Sequence, residues 1–116
     1  MFLNQYHLFI KLISEDKFLS PILQKSYSVE LIIILLNINE CRGYNFLFNQ
    51  LSSQKPQFAS FVKFIQLLKE LDIIQVEVSE AKRSQLSLKL TENSRNKIEG
   101  IVETVERINQ FELFAS

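Results

Sequence analysis

The sequence predicts a mainly α domain that carries one two-stranded β-hairpin, and three observations carry that prediction. Apolar residues recur at three- and four-residue steps over most of the chain. The period switches to two in one stretch only: Ile74, Val76 and Val78 alternate with Gln75 and Glu77, and Leu86, Leu88 and Leu90 alternate with Ser87 and Lys89. Two glycines and two prolines in 116 residues are too few for the tight turns of an all-β fold. With 47% hydrophobic residues and an ordinary length for one domain, residues 1–116 are expected to enclose a single core.

In the first segment Phe2, Tyr6, Phe9, Ile10 and Ile13 fall at helical spacing, and Leu3, Leu8 and Leu12 widen the apolar surface. A short helix apolar on most sides needs cover from more than one direction, which a second subunit would provide. The segment lacks a basic n-region and a small-residue cleavage site and is too short to span a bilayer, so it reads as a packing helix. Pro21 interrupts or starts a helical turn. Periodicity cannot decide between strand and helix for the apolar run from Leu31 to Leu36; Ser28 as N-cap and Glu30 in the first turn favour a buried helix.

Gly43 breaks the pattern, and Asn45 is placed to cap a short helix, "FLFNQL", ending near Ser52. The longest clean pattern follows, with Ser52 and Ser53 as candidate caps and Pro56 in the first turn, where a missing N–H costs nothing. Phe61, Phe64, Ile65, Leu68 and Leu71 project to one side; Lys55, Ala59, Lys63 and Gln66 project to another. Asp72 ends this helix. A lone hairpin is marginal in water, so its apolar face, through Ile74, Val76, Leu86 and Leu88, must lie on the helices. Thr91 can cap the last helix, whose seam Ile98, Ile101, Val102, Val105, Ile108 and Phe111 is narrow enough to suit a partner helix.

Thirteen basic residues balance thirteen acidic ones, so no global field draws the chain to nucleic acid or membrane. A single cysteine, Cys41, excludes an intrachain disulfide framework and a multi-cysteine metal site, and fits a reducing, cytoplasmic compartment. Arg42 beside it is able to lower a thiol pKa; a buried, inert cysteine is the plainer reading. His7 has no clustered second ligand, and no metal or cofactor is expected. No glycine-rich phosphate loop, serine elbow or cysteine–histidine pair is present, so the chain is not read as an enzyme.

The order of elements, and above all the stretch "KELDIIQVEVSEAKRSQLSLKLTENSRNKI", resembles the winged helix-turn-helix domain and, more closely, the MarR class of transcription regulators. Leu68, Ile73 and Ile74 match that family's entry into the wing, Arg83 its tip arginine, and Leu90, Thr91, Glu92, Arg95 and Ile98 its exit into the final helix. Asp72 stands where the family usually has glycine, Ala81 where it has the tip aspartate, and Ser94 where it has a second glycine.

The resemblance implies a homodimeric regulator, most simply a repressor, with duplex DNA as partner. Residues 1–27 would be an N-terminal dimerisation region, 28–90 the winged-helix core and 91–116 a long C-terminal dimerisation helix. Residues 56–71 would enter the major groove and the wing, 73–90, would lie on the backbone or minor groove. The implied DNA-binding residues are Lys55, Gln57, Ser60, Lys63, Gln66, Lys82 and Arg83, and Arg42, just before the short helix, is added as a phosphate contact that no motif marks. Dimerisation falls to Phe2, Tyr6, Phe9, Ile13, Ile98, Ile101, Val105 and Ile108. If half of the ten conceivable phosphate contacts of a dimer formed, the log–log salt slope would be about −4 to −5. Some MarR-like proteins bind a small effector between their two parts; a packed core explains ten phenylalanines without one. The alternative is a winged-helix protein-interaction module without DNA binding, which neutral net charge, Ala81 and the apolar ends favour.

Overall fold

The computed structural model describes residues 2–38, 42–52, 56–78 and 86–115, with side chains described for 5–38, 42–52, 56–78 and 86–108. Among these residues the chain is mainly helical with one two-stranded antiparallel hairpin. The order is α1 (Phe2–Glu15), a 3-10 helix (Ser20–Gln24), α2 (Ser28–Asn37), α3 (Tyr44–Gln50), α4 (Phe58–Glu70), β1 (Ile74–Val78), β2 (Leu86–Leu90) and α5 (Glu92–Ala115). Helix α1 lies along α5, the 3-10 helix bridges α1 and α2, α4 packs on α3 and β1, and β2 meets α2, α3 and α5. Every segment feeds one core: Ile13, Ile22, Leu31, Leu47, Phe61, Leu88 and Ile98 are fully buried. Residues 1–27 therefore supply core as well as surface.

Local chemistry explains where the elements begin and end, and it moves several expected boundaries. Pro21 opens the 3-10 helix, where its missing N–H is harmless. Ser28 does not cap α2; it is the first helical residue, and its hydroxyl accepts the Lys25 N–H at 3.2 Å. The apolar run in α2 is helical, but it is not buried all round, since Ile33 is half exposed. Asn45 lies inside α3, which starts at Tyr44 with Gly43 in the capping position. Glycine is required there by proximity: a Cβ on Gly43 would stand 2.9 Å from the Leu86 carbonyl oxygen. That approach lets the Arg42 carbonyl accept the Leu88 N–H at 2.8 Å, tying the start of α3 to the outer edge of β2. Helix α4 begins at Phe58 rather than at Pro56, because Gln57 is extended (φ −64°, ψ 145°).

Asp72 does end α4, in the left-handed conformation (φ 62°). Its N–H reaches the Lys69 carbonyl at 3.0 Å and the Ile73 N–H reaches Leu68 at 2.9 Å, the paired bonds of a Schellman turn. An L-residue held there costs roughly 1–2 kcal/mol, less for Asp than for most. Asp72→Gly removes that cost and returns part of it as unfolded-state entropy, so urea denaturation is expected to show a gain of about 0.5–1 kcal/mol.

The hairpin pairs Ile74 with Leu90, Val76 with Leu88 and Val78 with Leu86. Burial fades along it: Ile74, Leu88 and Leu90 are buried, Val76 is half-buried, and Val78 and Leu86 are 60% and 43% exposed. Leu86 is thus not the packing residue the alternation implied, although its neighbour Ser87 is buried. At the base, Thr91 caps α5: its hydroxyl oxygen accepts the Ser94 N–H at 3.3 Å, sits 2.8 Å from the Ser94 hydroxyl, and donates to the Asp72 carbonyl at 2.9 Å.

Asp16 ties the C-terminal end of α1 to the N-terminal part of α5. Its carboxylate accepts the Phe18 and Leu19 N–H groups at 2.9 and 3.1 Å and meets the Lys97 ammonium at 3.2 Å. Burial pushes this carboxyl up, but the Leu19 N–H, Lys97 and the Phe18 N–H outweigh it and hold its pKa below the ordinary 3.8. The unfolded chain then binds more protons, so the contribution is complete above the unfolded pKa and is lost as pH falls through the folded one. Asp16→Asn is expected to be less stable than the native chain at pH 7, with the difference shrinking between about pH 5 and pH 2 in urea titrations.

Candidate functional site

One side of α4 faces outward because the other is committed to the core. Phe61, Phe64, Ile65 and Leu68 are buried, whereas Gln57, Ala59, Ser60, Lys63 and Gln66 are exposed. Leu71, expected on the apolar side, is 39% exposed because it sits at the C-cap, past the last helical turn. Lys69 and Glu70 are exposed at the C-terminal end, so the outward surface is polar with mixed charge. Lysine donates to phosphates or base edges, glutamine both donates and accepts, and small Ala59 and Ser60 permit close backbone approach. The surface is held in place from below. Phe48 of α3 stands 5.2 Å from the Phe58 ring and 5.5 Å from Phe61, and Tyr27 lies 6.0 Å from Phe61 and 5.8 Å from Phe64.

Of the implied DNA-binding residues, Ser60, Lys63 and Gln66 are thus gathered on α4, with Gln57 at its N-cap. Arg42 is exposed, held beside β2 by its own carbonyl, with its guanidinium 4.4 Å over the Phe46 ring. Lys55, Lys82 and Arg83 lie outside the described residues, as do Ser53, Cys41 and Ala81.

The implied dimerisation residues divide. Ile13 and Ile98 are fully buried inside the chain, so their surface is already covered, whereas Val105, 7% exposed, lines an apolar cleft. Tyr6 and Ile108 are exposed at 48% and 38%, and Phe9 and Ile101 are partly buried. The side chains of Phe2 and Phe111 lie outside the described set. Between α1, α2 and α5 runs an apolar cleft of about 550 Å³, lined by Tyr6, Phe9, Val29, Ile33, Leu36, Val102 and Val105, with Gln5 and Glu106 at its polar margin. Periodicity did not reveal the share of α2 in this cleft; the signal was its run of six apolar residues, more than one buried side of a helix needs.

Two further residues carry structure rather than contact. Arg95, matched above to the wing exit, reaches back from α5 to the Leu35 and Leu36 carbonyls at 3.1 and 3.3 Å, capping the C-terminus of α2 with positive charge. Tyr27 is buried with no hydrogen-bond partner for its hydroxyl among the described residues, and burial raises its pKa. Among the described residues no group of three His, Cys, Asp or Glu side chains is placed to hold a metal ion, and no helix is long and apolar enough to cross a membrane. Neither a protein-family model nor a curated protein sequence matches the chain.

Proposed function

We propose that the chain is a winged-helix, MarR-like DNA-binding protein that acts as a homodimeric transcription regulator, α4 entering the major groove and the hairpin lying against the flanking backbone. The observation that supports it most is the junction of α4 with β1. A helix with an exposed Gln57–Ser60–Lys63–Gln66 surface passes through a fixed Schellman turn directly into a projecting hairpin. Both elements are thereby held in one rigid relation, which reading a groove and its flank together requires. For the dimer, support comes from the apolar cleft and from length. The 24 residues of α5 make a rod of about 36 Å, against about 21 Å for the 14 residues of α1 lying along it.

Zero net charge makes affinity for random duplex low, so base-edge contacts have to supply the specific complex. Mobility shift on mixed-sequence duplex at low salt is expected to give weak retention that falls steeply as salt rises. Lys63→Ala is expected to weaken binding severalfold and to reduce the salt slope by about two for a dimer, one phosphate contact per subunit. Unchanged retention with Lys63→Ala would remove α4 from the contact.

A second reading, an interaction module that binds protein and not DNA, is favoured by Glu70 on α4 and by the exposed Val78–Leu86 pair. Absence of any shift at low salt would select it.

A further inference from the structure

The most exposed aromatic of α4 is its first residue. Phe58 is 41% exposed although a phenylalanine gains nothing from water, and α4 has no side-chain cap at this end that would hide it. Its ring is nonetheless fixed. It meets Phe48 edge-on at 5.2 Å and 83°, and Phe48 in turn packs against the fully buried Phe61. A surface aromatic braced through two rings to the core presents its remaining face in one orientation, at little entropic cost on binding. The residues that follow it, Ala59 and Ser60, are small and exposed, and Lys63 lies one turn further on. A duplex can therefore approach the helix closely where the ring stands.

We infer that Phe58 is a specificity-determining residue that makes apolar contact with a thymine C5-methyl group in the major groove, so the chain prefers a T·A pair at one position of each half-site. This rests on the DNA-binding reading above. The chemistry follows from the groove itself: the thymine methyl is its one apolar feature, and phenylalanine is among the side chains that match it. Lysine and glutamine on the same helix supply the polar contacts; none of them distinguishes thymine from uracil.

The test uses the full chain and the duplex it selects from random oligonucleotides, with each thymine replaced in turn by deoxyuridine, which deletes only the methyl. One position per half-site is expected to lose about three- to fivefold in affinity, the scale of one buried methyl. With Phe58→Ala that loss disappears while the other positions keep their preferences. The deoxyuridine series on the native chain needs no variant to fold, and Phe58→Leu, which keeps an apolar contact, is expected to retain part of the discrimination. The inference is overturned if no deoxyuridine substitution weakens binding, or if the same loss persists in Phe58→Ala, while Lys63→Ala still weakens the complex. If no duplex is selected or retained at low salt, the DNA-binding reading falls and this inference falls with it.

Discussion

Truncation of Phe61 to alanine is expected to lower the unfolding free energy by about 3–5 kcal/mol, the range for a fully buried aromatic whose cavity collapses only in part. Phe61 has no exposed surface and sits between Phe48 of α3 at 5.5 Å and Tyr27, just before α2, at 6.0 Å. With Phe64, Ile65 and Leu68 it seats α4 on the rest of the domain. The cavity would open beneath the candidate contact surface, so the same variant is expected to lose DNA retention at temperatures where it is still folded by circular dichroism. Urea or guanidinium titration measures the first effect and mobility shift the second. A loss below about 1 kcal/mol would mean that α4 is not anchored as described.

Thr91→Val is expected to cost about 2–3 kcal/mol, large for a change of nearly constant volume. The threonine hydroxyl serves three groups at once: it caps the Ser94 N–H, pairs with the Ser94 hydroxyl, and donates to the Asp72 carbonyl in the turn that ends α4. Thr91 is 7% exposed and Ser94 is fully buried, so water does not replace the lost partner. Valine leaves the Ser94 hydroxyl stranded, which predicts a specific pattern of coupling. The double variant Thr91→Val with Ser94→Ala is expected to be less destabilised than the sum of the single ones, because removing both partners leaves no orphan. Additive losses in that cycle would show that the two hydroxyls do not act as a pair.

Element types were legible in the sequence wherever burial is one-sided. The 3.6-residue period of α4, the two-residue period of the hairpin and Thr91 as the cap of α5 each report a local backbone facing a core, and local patterning suffices for that. Boundaries moved where a single backbone conformation decides. Gln57 is extended and displaces the start of α4 to Phe58, whereas Asp72 ends that helix where expected, in a left-handed conformation. Contacts between distant segments left no periodic trace. Arg95 caps a helix some sixty residues earlier, and Ile33 is exposed at a cleft because of where α1 and α5 lie, not because of its neighbours in α2. Of the candidate contact surface, Lys63 and Gln66 followed from helical projection, and Gln57 and Ser60 from the helix-turn-helix resemblance. Phe58 did not, since an aromatic beside an apolar stripe reads as core until the helix start is known.

The most direct test of the central claim is selection of duplexes from a random pool by the full chain at low salt, followed by sequencing. The proposed homodimer is expected to enrich an inverted repeat whose half-sites are centred about one helical turn, ~10 base pairs, apart. A pool that stays random after repeated rounds, with no retention of any duplex at low salt, would contradict it.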